Sequence, residues 1–188
     1  PTDLAVSSFG QRFQVTPLQM ITMVSAIVDD GNLKTPHIVK QILNADGTVR
    51  ETINSEVKRQ VISAETSQFM RDAMEAVVSE GTGKNAYVAG YRVGGKTATS
   101  EIQGKPDDEE KRYTASFIGV APMDDPQIAV LVAIQDLPES APHGGGAIAA
   151  PIVGRILSDV LPYLGVEDVI QDTLHGLTAR LCRLKLPP

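Results

Sequence analysis

Apolar residues recur at helical spacing in three segments between residues 16 and 161. The first begins at Thr16-Pro17-Leu18-Gln19, where Thr at the N-cap, Pro at N1 and Gln at N3 predict a capping box, and Gly31 ends it. Its broad apolar surface predicts a well-buried helix. Residues 63 to 81 and 147 to 161 repeat the helical pattern, and we expect the last of these helices to pack on a sheet.

A hairpin is predicted in the second half of the chain. Residues 113 to 123 and 127 to 135 are rich in β-branched, aromatic and small apolar residues, and Asp124-Asp125-Pro126 between them is typical of a turn. Residues 92 to 102 are then expected to form a third strand beside that hairpin. Residues 105 to 111 carry almost no apolar group, which predicts a solvated loop.

The first half of the chain gives weaker signals. Residues 1 to 15 are loop-like in composition. Residues 34 to 42 alternate after Pro36 and predict one strand. Asn44-Ala45-Asp46-Gly47 then carries the Asp-Gly signal of a second hairpin.

The composition restricts the class of protein. A net charge of −6 and a pI near 5.0 disfavour a nucleic-acid binder, because neutralising phosphates needs a basic face. No apolar run approaches the roughly 20 residues of a membrane span. The single Cys182 cannot form an internal disulfide and no His/Cys pair has zinc-ligand spacing, so neither a metal nor a cofactor is predicted. Because the chain begins with Pro1, we expect a piece of a longer protein with any targeting segment upstream.

The candidate chemistry is concentrated in residues 94 to 101. Lys96, several hydroxyl groups and very small residues share this short stretch. A strand with so little side-chain bulk would let an extended peptide lie close and pair with its backbone. The lysine and the hydroxyl groups could then bind a carboxylate of that peptide.

Residues 90 to 97 also match G-x-x-x-x-G-K-[ST], the loop that cradles phosphates in nucleotide-binding proteins. That chemistry requires a helix beginning at the Lys-Thr pair. Gly104 and Pro106 follow too soon to leave room for one, and Asp136, which could imitate a metal-binding acid, is interpreted as a strand-end residue. Nucleotide binding is therefore kept only as a minor alternative.

Two further sets of residues could carry chemistry but favour simpler interpretations. Ser55-Glu56-Val57-Lys58 is a literal S-x-x-K, which could place a serine and its base on one helix face. It lies in a polar run, so a solvated segment is favoured. His37, His143 and His175 have no carboxylate or serine at a suggestive spacing, and we expect a surface role for each.

The order of several short motifs resembles the C-terminal part of the transpeptidase domain of a class B penicillin-binding protein, of the cell-division or sporulation type. The resemblance covers residues 7 to 166. The motifs that carry it are Gly10-Gln11, Thr16-Pro17-Leu18-Gln19-Met20, Gly81-Thr82-Gly83, Gly95-Lys96-Thr97-Ala98-Thr99, Ala115-Ser116-Phe117-Ile118-Gly119-Val120-Ala121-Pro122, Gly144-Gly145 and Ala149-Ala150-Pro151. It implies an α/β fold with a mostly antiparallel sheet flanked by helices, as in the serine β-lactamases.

The resemblance also assigns roles to residues of the Lys-Thr strand. Lys96, Thr97 and Thr99 would be catalytic: the lysine supplies positive charge, Thr97 holds the strand and its lysine, and Thr99 offers its hydroxyl to the carboxylate and its N–H to the oxyanion. Gly95, Lys96, Ala98, Thr99 and Ser100 would bind the substrate. The family has Gly where Ala98 stands, and commonly Gly at Arg12.

The implied reaction is acyl transfer from a D-Ala-D-Ala stem peptide of peptidoglycan through a serine ester, and penicillins and other β-lactams would acylate the same serine. The nucleophile motif and the Ser-x-Asn motif precede the Gly-Gln segment in the family, and no S-x-N occurs here. We therefore expect an inactive fragment of a parent enzyme that is extracytoplasmic, anchored to the bacterial membrane and able to meet other cell-wall synthesis proteins. The alternative, suggested by Ala98 and Arg12, is a catalytically silent cell-wall scaffold domain.

The resemblance leaves a tail at residues 167 to 188. Leucine and isoleucine recur there at three- and four-residue steps, with acidic residues in the first turn and basic residues in the last. An amphipathic helix that binds a partner is one interpretation, and a terminal helix docked on its own domain is the other.

Overall fold

The computed structural model describes residues 2–7, 10, 14–102 and 110–168. Within these residues the helices are α1 (Thr2–Ser7), α2 (Pro17–Val28), α3 (Ala64–Ser79), α4 (Gly145–Ile148) and α5 (Ala150–Tyr163), with a 3-10 helix at Lys84–Ala86. The strands are β1 (Asn32–Lys34), β2 (Gln41–Leu43), β3 (Val49–Thr52), β4 (Val57–Gln60), β5 (Gly94–Glu101), β6 (Arg112–Ala121) and β7 (Ile128–Pro138). The chain forms two compact units, Pro1–Asp72 and Ala73–Pro188.

Helix α2 of the first unit begins with the predicted capping box. Thr16 Oγ1 accepts the Gln19 N–H at 3.2 Å, and Gln19 Oε1 accepts the Thr16 N–H at 2.8 Å. Val24 and Val28 are buried, whereas Leu18 and Met23 are 59% and 48% exposed. The prediction of a well-buried helix is therefore right for one face only, because apolar residues surround this helix and the described chain covers one side.

Two local predictions for the first unit need correction. Thr2–Ser7 is helical, although residues 1 to 15 were expected to form a loop. Residues 34 to 42 form no single strand: β1 ends at Lys34 and pairs with β4, and β2 pairs with β3. Pro36 separates the two, since it lacks an N–H for a ladder. The Asp-Gly turn between β2 and β3 is confirmed, with Gly47 at φ 84° donating to Asn44 O at 3.0 Å.

Helix α3 also departs from its predicted pattern at one position. Met74 and Val78 are buried, as the helical spacing predicts. Phe69 was placed on the same apolar face but is 70% exposed, so that assignment is wrong. Ser67, a polar residue that the pattern passed over, is fully buried, and its hydroxyl donates to Ile27 O at 2.6 Å.

The second unit contains the predicted antiparallel sheet, of order β5-β6-β7, with helices packed on it. Helices α4 and α5 pack against the sheet, and α5 also contacts the 3-10 helix. The core is a cluster of buried, mostly aliphatic residues: Val78, Ala86, Val88, Val93, Phe117, Ala121, Ala149, Ala150, Val153, Leu157 and Leu161.

Strand β7 contains a bulge near its end. Ala115 lies opposite Ile134, but Tyr113 lies opposite Leu137, so β7 carries one extra residue in this interval. Asp136 has a φ of 62°, and its carboxylate accepts two hydrogen bonds from Arg112, from Nε and Nη2, both at 2.8 Å. The sequence placed Asp136 at a strand end, whereas it lies inside β7, because the ion pair and the bulge extend the pairing to Pro138.

The helical segment Gly145–Tyr163 is long and apolar enough, by length and composition, to cross a membrane, so the expectation that no apolar run approaches a membrane span is wrong for this segment. In the described structure it is the core helix of the second unit. Val153, Leu157 and Leu161 on α5 are fully buried and belong to the core cluster beneath the sheet. The apolar character of this segment is accounted for by that packing.

Candidate active site

Strand β5 carries the predicted Lys-Thr sequence at the edge of the sheet. Within the described residues it pairs with β6 alone, so its second edge is open to another extended chain. Lys96 and Thr97 lie inside the strand rather than at the start of a helix. The loop-to-helix geometry that a phosphate-cradling motif requires is therefore not formed by these residues.

The alternation of β5 divides the candidate site residues between two faces. Gly95, Thr97 and Thr99 lie opposite Gly119, Phe117 and Ala115 of β6, on the face covered by α4 and α5. Lys96, Ala98 and Ser100 lie on the other face and are exposed, whereas on the helical face Thr97 is half-buried and Thr99 is exposed. The structure thus keeps the predicted residues on one strand but gives the lysine and the two threonines different surroundings.

Gly95 is buried against the core rather than open to a ligand. A Cβ at this position would overlap Phe117 Cζ and lie 2.5 Å from Ile118 O. Distances under 3 Å cannot be accommodated without movement of the surroundings. The absence of a side chain at Gly95 is therefore explained by packing, whether or not its backbone also contacts a substrate.

The Lys96 ammonium is hydrogen-bonded to the backbone of its own strand. Nζ donates to the Thr97 carbonyl at 2.6 Å, and the side chain is otherwise exposed. The charge thus lies along β5, close to where a peptide carboxylate would be placed. At the far end of the strand Glu101 lies 3.5 Å from Lys111 Nζ, and this carboxylate raises the pKa of Lys111 above its ordinary value.

Thr97 is held by a second threonine from the connection after α3. Its Oγ1 lies 3.1 Å from Thr82 Oγ1, within hydrogen-bond distance. Thr82 is followed by Gly83, which is buried. A Cβ at Gly83 would lie 2.9 Å from Phe117 Cε2, so this position packs closely on the core. The Gly-Thr-Gly motif therefore brings a hydroxyl to β5, which the sequence alone did not assign.

Thr99 is joined to the turn before α4. The backbone N–H of Gly145 donates to Thr99 Oγ1 at 3.2 Å. Gly145 fits closely, since a Cβ there would lie 2.6 Å from Ala98 O. From the other side, Asn85 Nδ2 donates to Gly146 O at 2.9 Å. Three segments that are distant in sequence therefore meet at the two threonines of β5.

His143 lies beside this turn and is half-buried, which corrects the expectation of a surface role for it. Its ring stacks on Tyr113, with ring centroids 4.1 Å apart and an interplanar angle of 10°. Nδ1 lies 2.8 Å from the Ala141 carbonyl. His37 matches the expectation, since it is exposed and bonds only Val39 O in the described structure. His175 lies outside the described residues.

The other candidates belong to the first unit or lie outside the described residues. Ser55 precedes β4 and donates to Thr35 O at 2.8 Å, and Lys58 lies within β4, so the S-x-x-K spacing forms no helix face. Arg12, Cys182, most of the predicted acidic loop and the tail beyond Asp168 lie outside the described residues.

The first unit has a surface cavity of about 510 Å³. It is lined largely by the exposed apolar face of α2, including Leu18 and Met23, and by the stems of Lys34 and Lys58. None of the residues predicted on the Lys-Thr strand contributes to it. Its lining carries no cluster of acidic, basic and nucleophilic groups of the kind that catalysis needs.

Most of the chain matches one family of known proteins. Residues 2–158 match the family model described as the penicillin-binding protein transpeptidase domain. The chain belongs to this family. The resemblance inferred from the ordered motifs is therefore confirmed, and the Lys-Thr strand lies within the matched residues.

Individual relatives agree with this assignment. Stage V sporulation protein D of Bacillus subtilis is 47% identical over 170 residues, which cover 89% of this chain and 26% of that protein. Penicillin-binding protein PbpB of Mycolicibacterium smegmatis is 37% identical over 166 residues, which cover 81% of this chain and 25% of that protein. The chain thus spans about a quarter of the length of these relatives.

A solved structure confirms the fold. The transpeptidase domain of Burkholderia pseudomallei penicillin-binding protein 3 is similar with a TM-score of 0.72 and 36% identity, covering 89% of this chain and 48% of that one. Mixed helices and an antiparallel sheet, as predicted from the sequence, are therefore the architecture of this family.

Proposed function

We propose that this chain supplies the Lys-Thr strand of the active site of a peptidoglycan D,D-transpeptidase, whose nucleophilic serine belongs to another part of the parent protein. Strand β5 carries the proposal, because its open edge lies next to a lysine and to a threonine whose hydroxyl is already oriented by Gly145. Lys96, Thr97 and Thr99 have the catalytic roles, and Gly95, Ala98 and Ser100 belong to the substrate-binding strand.

In this proposal the stem peptide lies along the open edge of β5 and adds a strand to the sheet. Lys96 provides a positive charge, and the Thr99 hydroxyl donates to the terminal carboxylate of the peptide. The Thr99 backbone N–H would donate to the oxyanion, where one such donor typically lowers the barrier by about 3 kcal/mol. Thr97 keeps the strand in place through Thr82.

The chemistry is serine acyl transfer in two steps. The serine oxygen forms an ester with the carbonyl carbon of the penultimate D-Ala, and the bond to the nitrogen of the terminal D-Ala breaks, so that residue leaves with a proton. An amine of a neighbouring stem peptide then attacks the ester carbon and releases the serine. A β-lactam enters the first step in place of the peptide and stays bound, because its ring opens without losing a leaving group.

The test is intact-mass measurement of this chain, and of the parent protein that extends it upstream, before and after incubation with a penicillin. We expect a mass increase equal to the whole penicillin on the parent and none on the 188-residue chain. Lys96→Ala and Thr99→Val in the parent should slow the acylation, and His37→Ala is the matched control. An adduct on the short chain would contradict the proposed location of the serine.

A catalytically silent scaffold remains a second candidate because of Ala98. This residue is exposed on β5, where the family usually has glycine, so its methyl group faces any chain that lies over the strand. If the parent retains its serine, Ala98→Gly should leave the rate of acylation unchanged or raise it. A parent that gives no adduct with either residue would favour the scaffold, which would act among cell-wall synthesis proteins outside the cytoplasmic membrane.

A further inference from the structure

We infer that His143 is a positioning residue for Thr99. Its stacked ring holds the turn that places the Gly145 N–H on Thr99 Oγ1, and this bond leaves the hydroxyl of Thr99 as a hydrogen-bond donor for a substrate carboxylate. The identity of the carboxylate rests on the proposed function. The role of His143 in holding the turn does not depend on the proposed function.

The turn is attached to the sheet through aromatic stacking. The rings of His143 and Tyr113 are nearly parallel, with centroids 4.1 Å apart. Tyr113 lies on β6, which pairs with β5 on one side and β7 on the other, so the histidine is anchored to a central strand. The 2.8 Å contact from His143 Nδ1 to Ala141 O fixes the rotation of the ring. Because a carbonyl oxygen can only accept, Nδ1 carries the hydrogen.

The contact between Gly145 and Thr99 determines in which direction the Thr99 hydroxyl can donate its hydrogen. A threonine hydroxyl has one hydrogen to donate and two lone pairs that accept. A backbone N–H can only donate, so the 3.2 Å bond from Gly145 occupies a lone pair of Thr99 Oγ1. The hydrogen of the hydroxyl must then point elsewhere, and Thr99 is exposed along the open strand. This arrangement favours an acceptor such as a carboxylate over a donor.

The turn has little freedom to form this bond in another way. Gly145 is buried against the Ala98 carbonyl, and Gly146 is held by Asn85 Nδ2 at 2.9 Å. Asn85 fixes the C-terminal side of the turn, and the stack of His143 on Tyr113 fixes the N-terminal side. Loss of the histidine ring should therefore release the residues just before Gly145 and weaken its bond to Thr99.

The first experiment uses amide hydrogen exchange of this chain, followed by NMR. In His143→Ala the Gly145 amide should exchange about two- to tenfold faster, the range expected for loss of one aromatic pair. His143→Phe keeps the stack and should retain most of the protection. His37→Ala is the matched control, because His37 also bonds a carbonyl two residues away but has no stacked ring in the described structure. Thr99→Val should remove the protection that the bond provides.

The second experiment uses the parent protein and a penicillin with a free carboxylate, compared with its methyl ester. For the carboxylate form, Thr99→Val should slow acylation roughly 10- to 100-fold, as for loss of a hydrogen bond to a charged group. His143→Ala should slow it about two- to tenfold, and His143→Phe should restore most of the rate. Both reductions in the acylation rate should be smaller with the methyl ester. In the double variant, His143→Ala should add little to Thr99→Val, because it acts through the threonine.

The outcomes separate the inference from the proposed function. Unchanged protection of Gly145 in His143→Ala would overturn the positioning role, whatever the parent does. Lost protection with unchanged acylation, or equal losses for the carboxylate and the ester, would overturn its link to the carboxylate. If the unaltered parent gives no adduct at all, the proposed function fails, and the assignment of a substrate carboxylate to Thr99 fails with it.

Discussion

Replacing Gly95 with alanine tests the packing beneath the Lys-Thr strand. The new methyl group would overlap Phe117 Cζ and would lie 2.8 Å from Cε1 of the same ring and 2.5 Å from Ile118 O. Phe117 is fully buried, and the Ile118 oxygen belongs to the backbone of the neighbouring strand. Neither group can move away cheaply, so the strand itself must shift.

The expected magnitude follows from opposing contributions. A well-accommodated methyl group would contribute about 0.8 kcal/mol of burial, and alanine would reduce the entropy of the unfolded chain by a further 0.4 to 1 kcal/mol or so. Overpacking of a tight core costs about 1 to 3 kcal/mol in measured cases, after such gains are included. We therefore expect Gly95→Ala to lower the free energy of unfolding by about 1 to 3 kcal/mol. For a chain of this size that is a fall in Tm of roughly 2 to 12 °C.

The assay is thermal and urea unfolding of the chain, followed by far-ultraviolet circular dichroism. Gly144→Ala is the matched control, because the nearest atom to its new Cβ would be 3.9 Å away. Phe117→Leu removes the ring atoms involved, so the double variant with Gly95→Ala should be more stable than additivity predicts by about 1 kcal/mol or more. Equal stability of Gly95→Ala and the unaltered chain would refute the reasoning.

Three further predictions concern the first unit. Thr16→Ala should cost about 1 kcal/mol by removing the cap of α2, while Thr16→Ser should be near neutral, as measured by urea unfolding. Ser67→Ala should cost about 1 to 3 kcal/mol because it leaves the carbonyl of Ile27 without its donor, and a loss below 0.5 kcal/mol or so would contradict this. Hydrogen bonds from the side chain and backbone of Thr48 hold the pKa of Asp46 below its ordinary value of 3.8. Since folding favours the carboxylate, its contribution should be complete above pH 3.8 and lost as the pH falls through the lower, folded pKa; an NMR titration giving a pKa of 3.8 or higher would disprove this.

Local rules of sequence predicted most of the fold. The capping box at Thr16, the Asp-Gly turn at Gly47 and the hairpin of β6 and β7 each depend on a few neighbouring residues, and each is confirmed. The predictions that failed depend on distant partners. Exposure of Phe69 and burial of Ser67 are set by what packs on α3, and helical periodicity carries no information about that.

The candidate site shows the same division. Lys96, Thr97 and Thr99 lie on one strand as predicted, because that pattern is local, and their catalytic roles stay predictions. Their partners were not found, since Thr82 is 15 residues from Thr97 and Gly145 is 46 residues from Thr99. The available signal was the two glycine motifs, Gly81-Thr82-Gly83 and Gly144-Gly145, because glycine lets another part of the backbone approach closely. That signal says where a contact occurs but not which hydroxyl it serves.

The extra residue in β7 reverses which positions of that strand face each side of the sheet. Before it, Ile134 lies opposite Ala115; after it, Leu137 lies opposite Tyr113, so the odd-numbered positions take over the face that the even-numbered ones held. A homologue that lacks one residue at 135 or 136 would have a regular strand and would keep Leu137 opposite Tyr113, with every later side chain on its present face. An alignment gap at this point would therefore mark loss of the bulge alone, and the residue beside Tyr113, the ring on which His143 stacks, would stay the same.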